Sequence, residues 1–402
     1  MSNCRVGRGL SGDPFWNSAA APWPYDRFVM SSILSSLLDP KSGSAVRLRA
    51  NPFVHVDGDR LHNPLKDRSI DQSDGQFNLL QGLFNGTQSP EILDPEIARR
   101  MVDEGWLVSS DDDELSRGYH LKVVSLETNT VCNQACYFCP VSIDPREEAA
   151  MPDDMFSRIV NELTNWRSTI EGIFLQSYNE PTLERRFVEQ CRVIVAAGLP
   201  AAVLSNASGL TPAKVDALME FGGLRYLCIN LSTLDRDRYR QERGADHLGA
   251  VLRNLEYVKD RPLARQMKIV VLGTGDEKHD ADFEGIARKF AGSLFTIERH
   301  VVMDRAGYLE VGLRPADPSR RLRGCDNIGS RPIQHLHITP KGKCVLCCED
   351  YDENYVVGDL TRSTIEEVLT GPELARMRRW TYGLEEASTD YICRNCVFAR
   401  QD

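Results

Sequence analysis

The chain has 402 residues, 42% of them hydrophobic, with 48 Lys plus Arg against 58 Asp plus Glu and a formal charge of −10. That length suits two or three domains with sizeable cores. The acidic balance excludes a general nucleic-acid binder, which needs a basic surface to replace phosphate counterions, and no apolar run is long enough to span a membrane. The apolar stretch at 28–38 is interrupted by serines and lacks a basic flank, so it does not read as a signal peptide. Twelve cysteines would suit a disulfide framework in a small secreted domain, but in a chain of this size they fall mostly into two tight groups. That grouping points to metal binding in a reducing cytoplasm.

In chain order, residues 1–45 form an extension rich in Pro, Ser, Gly and aromatics. Residues 46–112 then read as a small unit. Strands are expected at 46–56 and 60–63 about the turn Asp57-Gly58, followed by helices at 72–84, 90–93 and 95–104 and the phrase Gly105-Trp106-Leu107-Val108. The pattern resembles the winged-helix peptide-recognition element found beside or fused to maturases of ribosomally made peptides. The resemblance implies a unit that clamps a leader peptide as an added strand; a chain lacking residues 46–110 is expected to keep its downstream cysteine sites and to lose its peptide. The other reading is a winged helix kept for packing or dimerisation.

From 118 to 312, short β-rich runs alternate with amphipathic helical ones. Strands are expected at 120–129, 172–178, 201–206, 224–231, 267–272 and 294–302, with helices at 153–166, 184–197, 212–221, 248–258 and 281–290. Six such units imply a parallel sheet with helical crossovers. They are too few for an eightfold barrel, so the expected class is α/β with an open, partial barrel. Chemistry in β/α barrels gathers at the C-terminal strand ends, and unusual polar residues fall there strand after strand. The first strand is followed by Cys132, Cys136 and Cys139, the second by Ser177-Tyr178-Asn179-Glu180-Pro181, the third by Ser205-Asn206-Ala207-Ser208, and the fourth by Asn230-Leu231-Ser232-Thr233.

The C-x3-C-x2-C spacing at Cys132, Cys136 and Cys139 supplies three thiolates, enough for three irons of a [4Fe-4S] cube, leaving one iron open to a small chelate. Zinc would want a fourth protein ligand. This spacing, with Phe138 before the last cysteine, resembles the signature of the radical S-adenosylmethionine (SAM) superfamily, whose core is a (β/α)6 partial barrel. The resemblance implies SAM on the open iron, its cleavage to a 5'-deoxyadenosyl radical, and a reducing partner such as flavodoxin or ferredoxin. It places Tyr178, Asn179 and Glu180 at the motif that binds the SAM amino group, although the family's glycines are missing there. Ser205 and Asn206 match a Thr-Asn-Gly turn, with Ala207 in place of glycine. Asn230 and Ser232 match a ribose- or carboxylate-binding stretch. Arg243 is a candidate partner for the SAM carboxylate, the alternative being a solvated helix flank. Cys228 shares a strand face with Asn230 and is a candidate hydrogen-atom donor, or a core thiol.

Residues 320–402 carry the second cysteine group. Cys325 precedes a strand at 333–338, the turn Thr339-Pro340-Lys341-Gly342, a second strand bearing Cys344, Cys347 and Cys348, a helix at 365–379, and Cys393-Arg394-Asn395-Cys396. The phrases Pro-Lys-Gly-Lys, Leu-Cys-Cys-Glu-Asp-Tyr and Val-Gly-Asp-Leu with a terminal C-x2-C resemble the auxiliary-cluster extension called SPASM, or its shorter form called twitch. That resemblance implies one auxiliary [4Fe-4S] cluster on Cys325, Cys347, Cys393 and Cys396, with Cys348 or Cys344 as rivals to Cys347. A zinc ribbon is the plainer alternative. The whole reads as a cytoplasmic radical SAM enzyme of oxidoreductase type that cross-links, oxidises or epimerises a precursor peptide. The alternative substrate is a small molecule, such as an aminosugar or nucleoside in natural-product biosynthesis.

Overall fold

The computed structural model describes residues 47–110, 114–315 and 317–402; the extension expected at 1–45 lies outside them. Residues 46–56 do not run as one strand, because Pro52 has no N–H for a ladder and Asn51 turns the chain. Asn51 Oδ1 accepts from Phe53 N at 3.0 Å and its carbonyl from Val54 N at 3.1 Å. β1 (Leu48–Ala50) ends there, and β2 (His55–Asp57) opens a three-stranded antiparallel sheet with β3 (Arg60–Asn63) and β4 (Arg68–Asp71). β4 has no counterpart among the expected strands, since Ile70 alone of its residues is buried. The side chains of Asp71 and Asp74 cap turns that delay α1 (Phe77–Phe84). α2 (Pro95–Asp103), capped by Asp94, leads to β5 (Leu107–Ser109), which pairs with β1.

The central sheet follows the expected alternation. β6 (Val123–Leu126), α3 (Asp153–Leu163), β7 (Gly172–Phe174), α4 (Phe187–Ala196), β8 (Ala201–Ser205), α5 (Pro212–Met219) and β9 (Leu224–Asn230) come first. After β9 stand two helices, α6 (Arg236–Arg243) and α7 (Leu248–Val258), then β10 (Ala264–Gly273), α8 (Glu277–Lys289) and β11 (Thr296–Val301). The six strands pair in parallel and in chain order. Four of the five residues of β8 are buried, as a strand covered on both faces requires. The arrangement is the open alternation of six parallel strands with helical crossovers that the sequence led us to expect.

The C-terminal strands extend this sheet instead of standing apart. After β12 (Leu322–Cys325) and α9 (Arg331–Gln334), β13 (His335–Ile338) lies parallel to β6, His335 opposite Val123 and Ile338 opposite Leu126. β14 (Lys343–Val345) and β15 (Val356–Asp359) complete a nine-stranded sheet in the order β11-β10-β9-β8-β7-β6-β13-β14-β15. The helix expected at 365–379 is two, α10 (Ile365–Leu369) and α11 (Pro372–Thr381), because the residue before a proline is driven out of the helical region and Gly371 has ψ 154°. β16 (Ala399–Gln401) returns to pair with β12.

The N-terminal unit is built onto the C-terminal one. Phe53, Leu65, Ile333 and Tyr382 form one buried cluster. Gln334 Nε2 donates to the Pro64 carbonyl at 3.0 Å, and Lys122 bridges Asp67 at 2.8 Å and Glu171 at 3.0 Å. The sequence reading of a separable unit at 46–112 therefore meets a shared core, formed by contacts some 270 residues apart along the chain. Among the described residues no helix is long and apolar enough to cross a membrane.

Candidate active site

The loop carrying Cys132, Cys136 and Cys139 leaves β6 and is pinned to the end of α6. Ala135 N donates to the Arg243 carbonyl at 2.9 Å and Tyr137 N to the Glu242 carbonyl at 3.1 Å, so the loop satisfies carbonyls that a helix end leaves without partners. α6 stops at Gly244, whose φ of 67° glycine adopts freely. Arg243 is thereby turned inward and is 1% exposed. Its guanidinium donates to Ser232 Oγ at 2.6 and 3.1 Å and to Asn230 Oδ1 at 2.8 Å, lies 3.7 Å from Cys136 Sγ, and stacks over Phe138 at 4.9 Å. Five residues singled out in the sequence (Phe138, Cys136, Asn230, Ser232 and Arg243) thus meet at one point.

The strand-two and strand-three ends meet through Glu180. This carboxylate, 2% exposed, accepts from Thr182 N and Oγ1 at 3.0 and 2.5 Å, from Ser205 Oγ at 2.7 Å and from Asn206 N at 2.6 Å. Burial pushes its pKa up and these hydrogen bonds pull against it. Asn206 Nδ2 reaches Asn133 Oδ1, inside the cysteine loop, at 3.0 Å. Ala207, at the family's glycine position, sits buried at φ 62°. Asn179 serves its own turn, accepting from Ser177 N at 3.1 Å. Cys228 lies beside Tyr226 and the Lys268–Glu298 pair; burial lifts its thiol to about 12.

Burial also lifts the Cys132 thiol to about 12, with the Glu180 carboxylate and the Cys136 and Cys139 sulfurs adding to the shift. Cys139 is raised by burial too, while Arg305 and Arg146 oppose it. Thiols raised in this way deprotonate to become ligands when a bound cation stabilises their thiolates.

Cys325, Cys347, Cys393 and Cys396 line a second cavity with Arg331 and Glu349. β12 delivers Cys325, the bend just past β14 delivers Cys347, and the short helical turn Ile392–Asn395 carries Cys393 with Cys396 next after it. Burial raises all four thiols, Cys393 to about 12. Cys347, Cys393 and Cys396 each feel the charge of at least one of the others, and the rise at Cys325 is opposed by Arg331. Cys344 lies within β14, opposite Gly358 and Ile338 and fully buried, outside that cavity. Cys348 lines a different cavity, with Tyr178 and Tyr351.

Several groups between the two cysteine sets escaped the sequence reading. Arg146 forms a two-pronged pair with Glu127 at 2.5 and 2.9 Å and lies 5.5 and 5.4 Å from the rings of Tyr178 and Tyr351. Tyr178 donates its hydroxyl to the Cys348 carbonyl and its N–H to Glu127 Oε1, joining the second strand end to the auxiliary loop. Arg305 lies 3.5 Å from Glu349. No local motif marks Glu127, Arg146 or Arg305; Tyr178 stood in the second strand-end motif, and Glu349 and Tyr351 in the phrase Cys-Cys-Glu-Asp-Tyr.

Comparison with known proteins agrees with this geometry. The radical SAM superfamily model matches residues 126–290, and an iron-sulfur cluster-binding domain model, SPASM, matches residues 325–397. The chain is 21% identical over 277 residues to the S-adenosyl-L-methionine-dependent 2-deoxy-scyllo-inosamine dehydrogenase of Niallia circulans, covering 68% of this chain and 92% of that one. In fold it is similar to Streptococcus suis SuiB, solved bound to the precursor peptide SuiA, with a TM-score of 0.51, 12% identity, and 83% and 89% of the two chains covered. BtrN, solved in complex with AdoMet and 2-DOIA, aligns with a TM-score of 0.45 at 17% identity, over 69% of this chain and 93% of that one. The radical SAM domain implies SAM and a [4Fe-4S] cluster, and the SPASM domain implies auxiliary iron-sulfur chemistry. The chain is a radical SAM enzyme with a C-terminal SPASM domain.

Proposed function

We propose that Cys132, Cys136 and Cys139 hold the radical cluster, that Cys325, Cys347, Cys393 and Cys396 hold one auxiliary [4Fe-4S] cluster, and that the substrate is oxidised between them. The observation that carries this is the convergence of Arg243, Asn230, Ser232 and Phe138 on Cys136. With cluster and SAM bound, the site would supply radical chemistry able to take a hydrogen atom from an unactivated carbon. The chain's own part is positioning. Arg243 offers a fixed fork of N–H donors suited to a carboxylate, and Glu180 holds two strand ends at the spacing the loop needs. Tyr178 and Arg146 close the space toward the auxiliary cysteines.

The substrate we favour is a ribosomally made peptide. The three-stranded sheet ahead of the barrel supports this reading, because a sheet edge can accept a peptide as a further strand. At the β2 edge Arg400 donates to the Val56 carbonyl at 2.9 Å, which leaves β4 as the edge for an added strand. The rival, a small-molecule dehydrogenation, is favoured by the Niallia circulans relative. Anaerobic turnover of neighbouring-gene peptides and of aminosugars or nucleosides, followed by mass spectrometry in deuterated solvent, separates the two. The peptide reading expects a modified peptide with matching 5'-deoxyadenosine; modification of the small molecules alone would move the assignment to the rival.

A further inference from the structure

Strand β2 bears on the auxiliary cysteines more than on the barrel. His55, 3% exposed, shares a 2.9 Å hydrogen bond through Nε2 with the hydroxyl of Tyr382, which donates in turn to Ser330 Oγ at 2.8 Å. Its other ring nitrogen stands 3.5 Å from Asp326, the residue after Cys325. Arg400, on β16, joins the same groups from the far side. One terminal nitrogen donates to Asp326 at 2.9 and 3.2 Å; the other donates to the Val56 carbonyl at 2.9 Å and to Asp57 at 3.0 Å.

These contacts converge on the strands that carry the thiols. β12 and β16 pair with Ala399 opposite Cys325 and Arg400 opposite Gly324, and β16 begins just after Cys396. At Gly324, φ is 135°, and an added Cβ would stand 3.1 Å from both His55 Nε2 and the Tyr382 ring. Phe53 packs edge-on against that ring at 4.7 Å. A side chain at 324, or a gap at 53–57, would displace Cys325.

We propose that residues 53–57 are part of the housing of the auxiliary cluster, with His55 and Asp57 acting through Tyr382 and Arg400 as positioning residues for Cys325. This rests on the reading that Cys325, Cys347, Cys393 and Cys396 bind a cluster. The N-terminal unit then does more than collect substrate: it fixes the geometry of a redox site whose ligands lie far along the chain. The barrel cysteines, pinned to α6, are outside its reach.

The test uses the full chain with Cys132, Cys136 and Cys139 changed to alanine, so that bound iron reports the auxiliary site alone. Reconstituted anaerobically, this background should hold about four irons and give one signal by electron paramagnetic resonance when reduced. Adding Arg400→Met, or His55→Phe, should lower that iron at least twofold and alter the signal. Arg400→Lys, which keeps a charge between Asp57 and Asp326, should recover part of both. With the three barrel cysteines restored, the Arg400→Met and His55→Phe chains should keep their radical-cluster iron. Unchanged iron and an unchanged signal in both variants would overturn the proposal, as would equal loss from both clusters. A background chain that binds no iron at all would overturn the four-cysteine assignment itself.

Discussion

Arg243 shows what a single residue can and cannot say in advance. Its sequence, Gln-Glu-Arg-Gly, fits a solvated helix end as well as a cofactor partner, and the two differ only in which way the last turn faces. The pinning of the cysteine loop to that turn decides it, burying the guanidinium against Asn230, Ser232 and Cys136. Replacing it with methionine leaves those acceptors unpaired. Because a hydrogen bond to a charged group is worth about 1.5–3 kcal/mol, Arg243→Met should slow 5'-deoxyadenosine formation about tenfold to hundredfold. Arg243→Lys should fall between, since a point charge cannot span both partners; wild-type rates in both would remove Arg243 from the site. The auxiliary cysteines give a sharper contrast. Cys347→Ala should lose the auxiliary iron, whereas Cys344→Ala, buried within β14, should keep it and lose about 1 kcal/mol of stability through packing. Retained iron in the Cys347 variant would shift the ligand to Cys348 or Cys344. Glu127, Arg146 and Arg305 were invisible in the sequence because their partners are set by folding and by no local pattern.

Elements with an apolar period were legible, and elements without one were not. The six barrel strands and the helices between them follow from short β-rich runs alternating with amphipathic helical ones, with ends displaced by turns and prolines. α6, Arg-Asp-Arg-Tyr-Arg-Gln-Glu-Arg, has almost no apolar face and escapes a periodicity search, yet its last turn holds the cysteine loop. β4 escapes for the same reason. The link between α6 and the loop is open to a single change. At Gly244 a Cβ would stand 3.1 Å from the Ala135 Cβ and 3.2 Å from its carbonyl oxygen, on a backbone with φ 67°. Gly244→Ala should cost about 1–3 kcal/mol, seen as a lower melting temperature. It should also reduce radical-cluster iron while sparing the auxiliary site, so equal loss from both would contradict this placement of the loop.

At the scale of the whole molecule, the two cysteine groups and the α/β alternation are enough to place the barrel and the auxiliary unit along the sequence. Their joining was not legible. Parallel pairing of β13 with β6 and the shared core of Phe53 with Ile333 and Tyr382 link segments hundreds of residues apart, and no local pattern encodes such a contact. The expectation that residues 46–110 can be removed with both clusters kept gives way for that reason, since the cut would expose the core under Tyr382. The proposed function rests above all on radical chemistry at one cysteine set with a second cluster beside it. Anaerobically reconstituted protein should bind about eight irons and eight sulfides. The chain with Cys132, Cys136 and Cys139 changed to alanine should hold about half of that and form no 5'-deoxyadenosine from SAM. Continued 5'-deoxyadenosine formation by that triple variant would contradict the account.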